Sequence, residues 1–144
     1  MVITGRQLPV VPDLAALVEL VRLRPGLYLR QSEGPDADLS GKTSVDCEAR
    51  VHMPGLSVTT IDPEPWWPRP AIDWIARRVC KYADLADVQG RHPWLLTARP
   101  VGLGPDHEPL VVDVEPVAWL APSIVDEARA HYHAAFDVAR DSRA

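Results

Sequence analysis

WLLTARPVGL (residues 94–103), GPDHE (104–108) and PLVVDVEPVAWL (109–120) together decide the fold class. Two apolar runs flank a five-residue polar loop rich in turn formers, and their cheapest connection is an antiparallel hairpin. Pro100, Pro109 and Pro116 lack an amide donor, so they predict edges or bulges within it. Downstream, Pro122-Ser123 opens a helix with Val125, Ala128, Tyr132, Ala135, Phe136 and Ala139 along one face. Upstream, Ile72, Ile75, Val79 and Tyr82 share a helical face, with Ala76 and Ala83 beside them. Arg77, Arg78 and Lys81 favour the other side, near the C-terminal end where cations suit the macrodipole.

Residues 62–70, DPEPWWPRP, hold four prolines, which excludes both a helix and a central strand. Pro70 suits the first turn of the middle helix. Over 43–52, Thr43, Val45, Cys47, Ala49 and Val51 alternate with polar residues, which predicts a strand with one core face. Met53-Pro54-Gly55 then turns the chain into a partner strand over 56–61, a second hairpin. Leu27-Tyr28-Leu29-Arg30 reads as a short strand ended by the turn Glu33-Gly34-Pro35-Asp36. Before it, Asp13 caps a helix carrying Leu14, Leu17, Val18 and Val21 on one stripe, stopped by Pro25-Gly26. Residues 1–12 read as an extended lead-in and 141–144 as a frayed tail. The order α-β-β-β-α-β-β-α, linked by hairpins, predicts a single α+β domain with a mixed or antiparallel sheet of about five strands.

The chain has 144 residues, enough for one domain with a proper core. Asp and Glu number 20 against 15 Lys and Arg, a net charge of −5, which argues against a nucleic-acid surface but leaves room for a local basic pocket. Cys47 and Cys80 lack metal or framework spacing, so both read as reduced, with Cys47 in a strand core; a disulfide between them is the alternative. No apolar run reaches the length of a membrane span, and the N-terminus lacks a signal-peptide pattern. The expected location is the cytoplasm.

Few residues carry motif-grade chemistry. Gly34-Pro35-Asp36-Ala37-Asp38 and Gly104-Pro105-Asp106-His107-Glu108 offer acidic oxygens two apart, but a hard cation needs more, and Gly-Pro-Asp is turn chemistry in its own right. His131 and His133 stand two apart on a helix, which turns them to opposite sides and excludes a shared metal. No metal is therefore expected. There is no nucleophile elbow, phosphate loop or dinucleotide fingerprint. The pair Trp66-Trp67, pinned between prolines, could stack a base or sugar or anchor a partner. It could equally plug the end of the sheet, and Trp74 nearby favours such a cluster.

A sharper order of residues is Arg30 on an early strand, Ser57 within Leu56-Ser57-Val58-Thr59-Thr60, and Glu108 beside the last hairpin. It resembles the Arg-Ser-Glu order of ADP-ribosyltransferases. The resemblance implies that Arg30 holds a phosphate of NAD, Ser57 orients the nicotinamide ribose, and Glu108 (with Glu115 as a substitute) stabilises an oxocarbenium-like transition state. The chain lacks the acid pair usual at the Glu108 position. Along the whole chain, the runs PGLYLR (25–30), GPDADL (34–39), PGLSV (54–58), PWWPRP (65–70) and EPLV (108–111) resemble an uncharacterised family of small actinobacterial proteins. That resemblance spans roughly residues 8–140 and implies no activity.

Three functions follow as expectations. One is a binding or accessory protein that uses Trp66, Trp67 and Tyr28, or a sheet edge, to recognise a partner, a small ligand or a second copy of itself, without a cofactor. Another is an NAD-dependent transferase using Arg30, Ser57 and Glu108. The last is a small-molecule cleft between the sheet and the middle helix.

Overall fold

The computed structural model describes residues 8–40, 45–46, 49–81 and 90–136. Two long strands dominate it: β7 (His92–Leu103) and β8 (Pro109–Leu120) form the expected hairpin. Register shifts interrupt their ladder between Leu95 and Leu96, Thr97 and Arg99, and Pro100 and Gly102, close to Pro116 and Pro100. Asp113, at φ 54°, lies in the middle shift. These bulges coil the hairpin strongly.

Around it stand β1 (Val10–Val11), β2 (Tyr28–Ser32), β5 (Leu56–Ser57) and β6 (Thr59–Thr60). The path β1-β8-β7-β2-β6 is antiparallel except for β1, which runs parallel to β8. The end of the extended lead-in is thus a sheet strand, and the sheet is mixed. β5 pairs with β8 while β6, one residue further on, pairs with β2. The run 56–60 therefore bridges the two sides of a curled sheet.

The helices are α1 (Leu14–Leu23), α2 (Pro35–Asp38), α3 (Ala71–Lys81) and α4 (Pro122–Phe136). Asp13 caps α1, its carboxylate accepting from Ala16 N at 2.8 Å. α1, α3 and α4 pack on one face of the sheet. Their core joins Leu17, Ile75, Val79, Ile124 and Ala128 to Leu29, Leu95 and Ala118 from the strands. Inside the curl, on the opposite face, Leu56, Val58, Trp94, Leu96 and Val111 form a second cluster. The alternation of Trp94, Leu95 and Leu96 between the two clusters follows from the two-residue period of β7.

The segment 43–52 departs from its expectation. It is not one strand but β3 (Val45–Asp46) and β4 (Val51–His52), paired with each other about a turn at Ala49-Arg50. Arg50 takes φ 59°, which reverses the chain, and Val51 and His52 are exposed. Of the alternating apolar set, Ala49 and Val51 are therefore exposed rather than part of a core face. Nor does Leu56–Ile61 pair with this segment across Pro54-Gly55; its partners are β8 and β2. Cys47, Tyr82, Ala83, Ala139 and the tail 141–144 lie outside the described residues.

Candidate ligand cleft and a closed polar network

Strand β2 alternates Leu29 and Gln31 toward the helices with Arg30 and Ser32 toward the curl. Arg30 donates through Nε to Asp38 Oδ2 at 2.7 Å, through Nη2 to Asp38 Oδ1 at 3.3 Å, and through Nη1 to the Ser57 carbonyl at 2.6 Å. Ser32 Oγ donates to Asp38 at 2.5 Å and accepts from Gly34 N and from the indole N–H of enclosed Trp94. Ser57 Oγ donates to Glu108 Oε2 at 2.8 Å, while Glu108 Oε1 accepts from Asp106 N. Arg30, Ser57 and Glu108 thus join in one chain of bonds linking β2, α2, β5 and the β7–β8 loop. Each is already engaged. The Arg30 charge is matched by Asp38, with side chains only 15% and 11% exposed, and both Glu108 oxygens accept hydrogen bonds. Glu115 lies on β8, exposed and paired in register with Thr97.

A different set of side chains gathers on the outer side of α3. Its sheet-facing residues Ile75, Ala76 and Val79 are fully enclosed. Trp74, Arg77, Arg78 and Lys81 stand at i, i+3, i+4 and i+7, which aligns them on one stripe. The proline-bound loop brings Trp66 and Trp67 against that stripe. Trp66, Trp67 and Trp74 meet edge to face, with ring centroids 5.1–6.2 Å apart. Trp67 Nε1 donates to the Pro70 carbonyl and packs on the core, whereas Trp66 stands 69% exposed. The loop therefore contains one structural ring and one open ring.

Trp66, Trp74, Arg77, Arg78, Cys80, Lys81 and Tyr132 line a cavity of about 590 Å³. That described lining carries three cations and no carboxylate. The Arg78 guanidinium lies 4.9 Å from the Trp74 ring centre, and that of Arg77 lies 5.7 Å from Trp67 and 5.2 Å from Phe136. A cation held over a ring still has in-plane N–H donors to offer an anion. Trp74 is 7% exposed, and its Nε1–H has no acceptor among the described residues. A buried donor left unanswered costs about 1–3 kcal/mol, so an acceptor supplied from outside would be well received. Burial pushes the Cys80 thiol pKa up, opposed by the charge of Arg129.

Beneath this cleft, Asp73 is 6% exposed and ties the helices together. Its Oδ1 lies 2.6 Å from His131 Nε2, and its Oδ2 accepts from Arg69 Nε at 3.0 Å. Arg69 also donates to the Ala135 carbonyl and lies over Phe136. This junction fixes Tyr132 as the α4 wall of the cavity.

One family description matches residues 4–143: a family of unknown function, DUF6098. The chain belongs to DUF6098. No curated protein and no solved structure matches it. For this DUF6098 chain, the site residues read from sequence separate into two places. Arg30, Ser57 and Glu108 come together on the curled face, and Trp66 and Trp67 stand at α3. Tyr28 joins neither the cleft nor the tryptophans but packs on the cluster inside the curl. Sequence reasoning missed Trp74, Arg77, Arg78, Lys81 and Tyr132 as one lining, although the α3 spacing contained the signal. It also missed Asp73–His131 and Arg30–Asp38, pairings across helices and loops that no local pattern encodes. Among the described residues no helix is long and apolar enough to cross a membrane, and no three His, Cys, Asp or Glu side chains gather as a metal site.

Proposed function

We propose that this chain is a binding protein whose ligand is a small anion bearing a planar ring, of the nucleotide class, held in the α3 cleft without a cofactor. One observation carries the reading: an exposed tryptophan, three cations and Trp74, whose buried indole N–H has no acceptor among the described residues, line a single cavity. Trp66 offers a stacking face, Arg77, Arg78 and Lys81 offer charge, and Trp74 offers a directional donor. A cavity of about 590 Å³ suits a small molecule. The acidic chain as a whole repels a long polyanion, so a mononucleotide fits better than a nucleic acid. Such ligands accord with a cytoplasmic setting.

Thermal shift and calorimetry with ADP, adenosine and pyrophosphate test it. ADP should stabilise the protein by about 2.7 kcal/mol at 100 times its Kd. Adenosine lacks the charge and pyrophosphate lacks the ring, so each should bind at least about tenfold more weakly. Trp66→Ala should weaken ADP binding about tenfold while leaving the melting temperature nearly unchanged. No response to ADP from folded protein sinks the reading.

A second reading draws on the bonded chain Arg30–Ser57–Glu108: an NAD-dependent transferase with those residues in the roles the resemblance implies. Its groups would have to exchange present partners for substrate. Release of nicotinamide from NAD, lost in Glu108→Gln, is the measurement that would favour it over simple binding.

A further inference from the structure

A second cavity, of about 620 Å³, opens on the other side of α4, where β1 and the starts of β7 and α4 meet. We propose that it binds a small amphipathic carboxylate, an aryl or short-chain organic acid. Its walls are mainly apolar, with Val10, Trp119 and Val125 prominent among them. Val10 is 56% exposed although it sits on a paired strand, so the cavity contains apolar surface that the fold leaves wet. Covering it favours a ligand with a hydrophobic body.

Trp119 is a firm plate for that body. His92 meets it edge-on at 6.1 Å, and a Cβ on Gly34 would come within 2.8 Å of its Cη2. His92 and the backbone of Gly34 thus stand against the ring.

Charge at the rim selects the head group. Among the described residues, Arg91 and Arg129 line the cavity with one acid, Asp126. Arg91 is half-buried and has neither an ion pair nor a hydrogen bond among the described residues. A guanidinium matches a carboxylate with two parallel N–H donors. The single guanidinium of Arg91 fits a monoanion, whereas a phosphate with two charges is better served by the three cations of the α3 cleft.

The test uses the full chain with 1-naphthoate and its neutral counterpart 1-naphthamide, read by calorimetry and by the indole ¹⁵N resonance of Trp119. Naphthoate should bind about tenfold more tightly than the amide and move that resonance. Arg91→Ala should erase the preference, with an unchanged melting temperature showing an intact fold. Arg99→Ala, on the distant part of β7, should leave it intact. Equal binding of acid and amide overturns the proposal, and so does a Trp119 resonance that stays fixed at millimolar naphthoate. Displacement of naphthoate by ADP would put the acid in the α3 cleft and also overturn it. An absence of ADP binding leaves this proposal standing while removing the other.

Discussion

The Arg30 network and the α3 cleft both combine arginine with tryptophan, and they lie on opposite faces of the same sheet. They differ in what their polar groups already hold. On the curled face Arg30 meets Asp38, Ser57 meets Glu108, and the Trp94 indole meets Ser32. At α3 the Arg77 and Arg78 guanidiniums lie over rings, and Trp74 Nε1 has no acceptor among the described residues. Satisfied polar groups hold a fold together; an unanswered donor beside an open ring leaves interaction capacity for something else. Residue type alone does not separate the two, but hydrogen-bond accounting does.

Substitutions can break that contrast. The largest loss of stability is expected from Asp38→Ala, which takes the matching carboxylate from a nearly buried Arg30 while its bond to the Ser57 carbonyl stays, and costs about 3 kcal/mol in a urea titration. An unchanged midpoint would show the network to be ornamental. Next comes Gly55→Ala. A Cβ there would sit 2.6 Å from the Val111 carbonyl oxygen and 2.9 Å from its nitrogen, so β5 must move off β8. The expected cost is about 1–3 kcal/mol, with loss of amide-exchange protection at Val111.

The smallest effect sharpens the other side of the comparison. In a Cys47→Ser background, Cys80 should react slowly with iodoacetamide at neutral pH, because burial raises its pKa and keeps the thiolate scarce. The rate should climb at higher pH than for an exposed thiol, and ADP in the cleft should lower it further. Fast alkylation, unaffected by ADP, would place Cys80 outside the ligand's reach.

Much of the fold was legible because its signals are local. Asp13 with Leu14, Leu17 and Val21, and the long runs around Gly104–Glu108, contain periodicity and turn chemistry within a few residues of each other. The misreading at 43–52 has the same origin. Alternating residue types persist through a hairpin as readily as along a strand, and the backbone of Arg50 decides between them. The cleft was half legible: Trp66-Trp67 stood out as a motif, and the α3 stripe was present as spacing. Its Tyr132 wall depends on Asp73 meeting His131 across 58 positions, a pairing that packing alone reveals.

The run Leu56–Thr60 has a consequence for how the molecule comes apart. It contacts β8 at one end and β2 at the other, strands far from it in sequence on either side. Its β6 half can pair with β2 upstream, but its β5 half has no partner until the chain reaches β8, so loop-closure entropy must be met before the run completes its pairing. It behaves as a clasp rather than a beam. Opening it would free the edges of β2 and β8 together and expose Leu56 and Val58 from the inner cluster. Ile61, next along the chain, belongs to the helix-covered core and anchors that end, so the curled half can loosen first while the face bearing α3 and its cleft stays assembled.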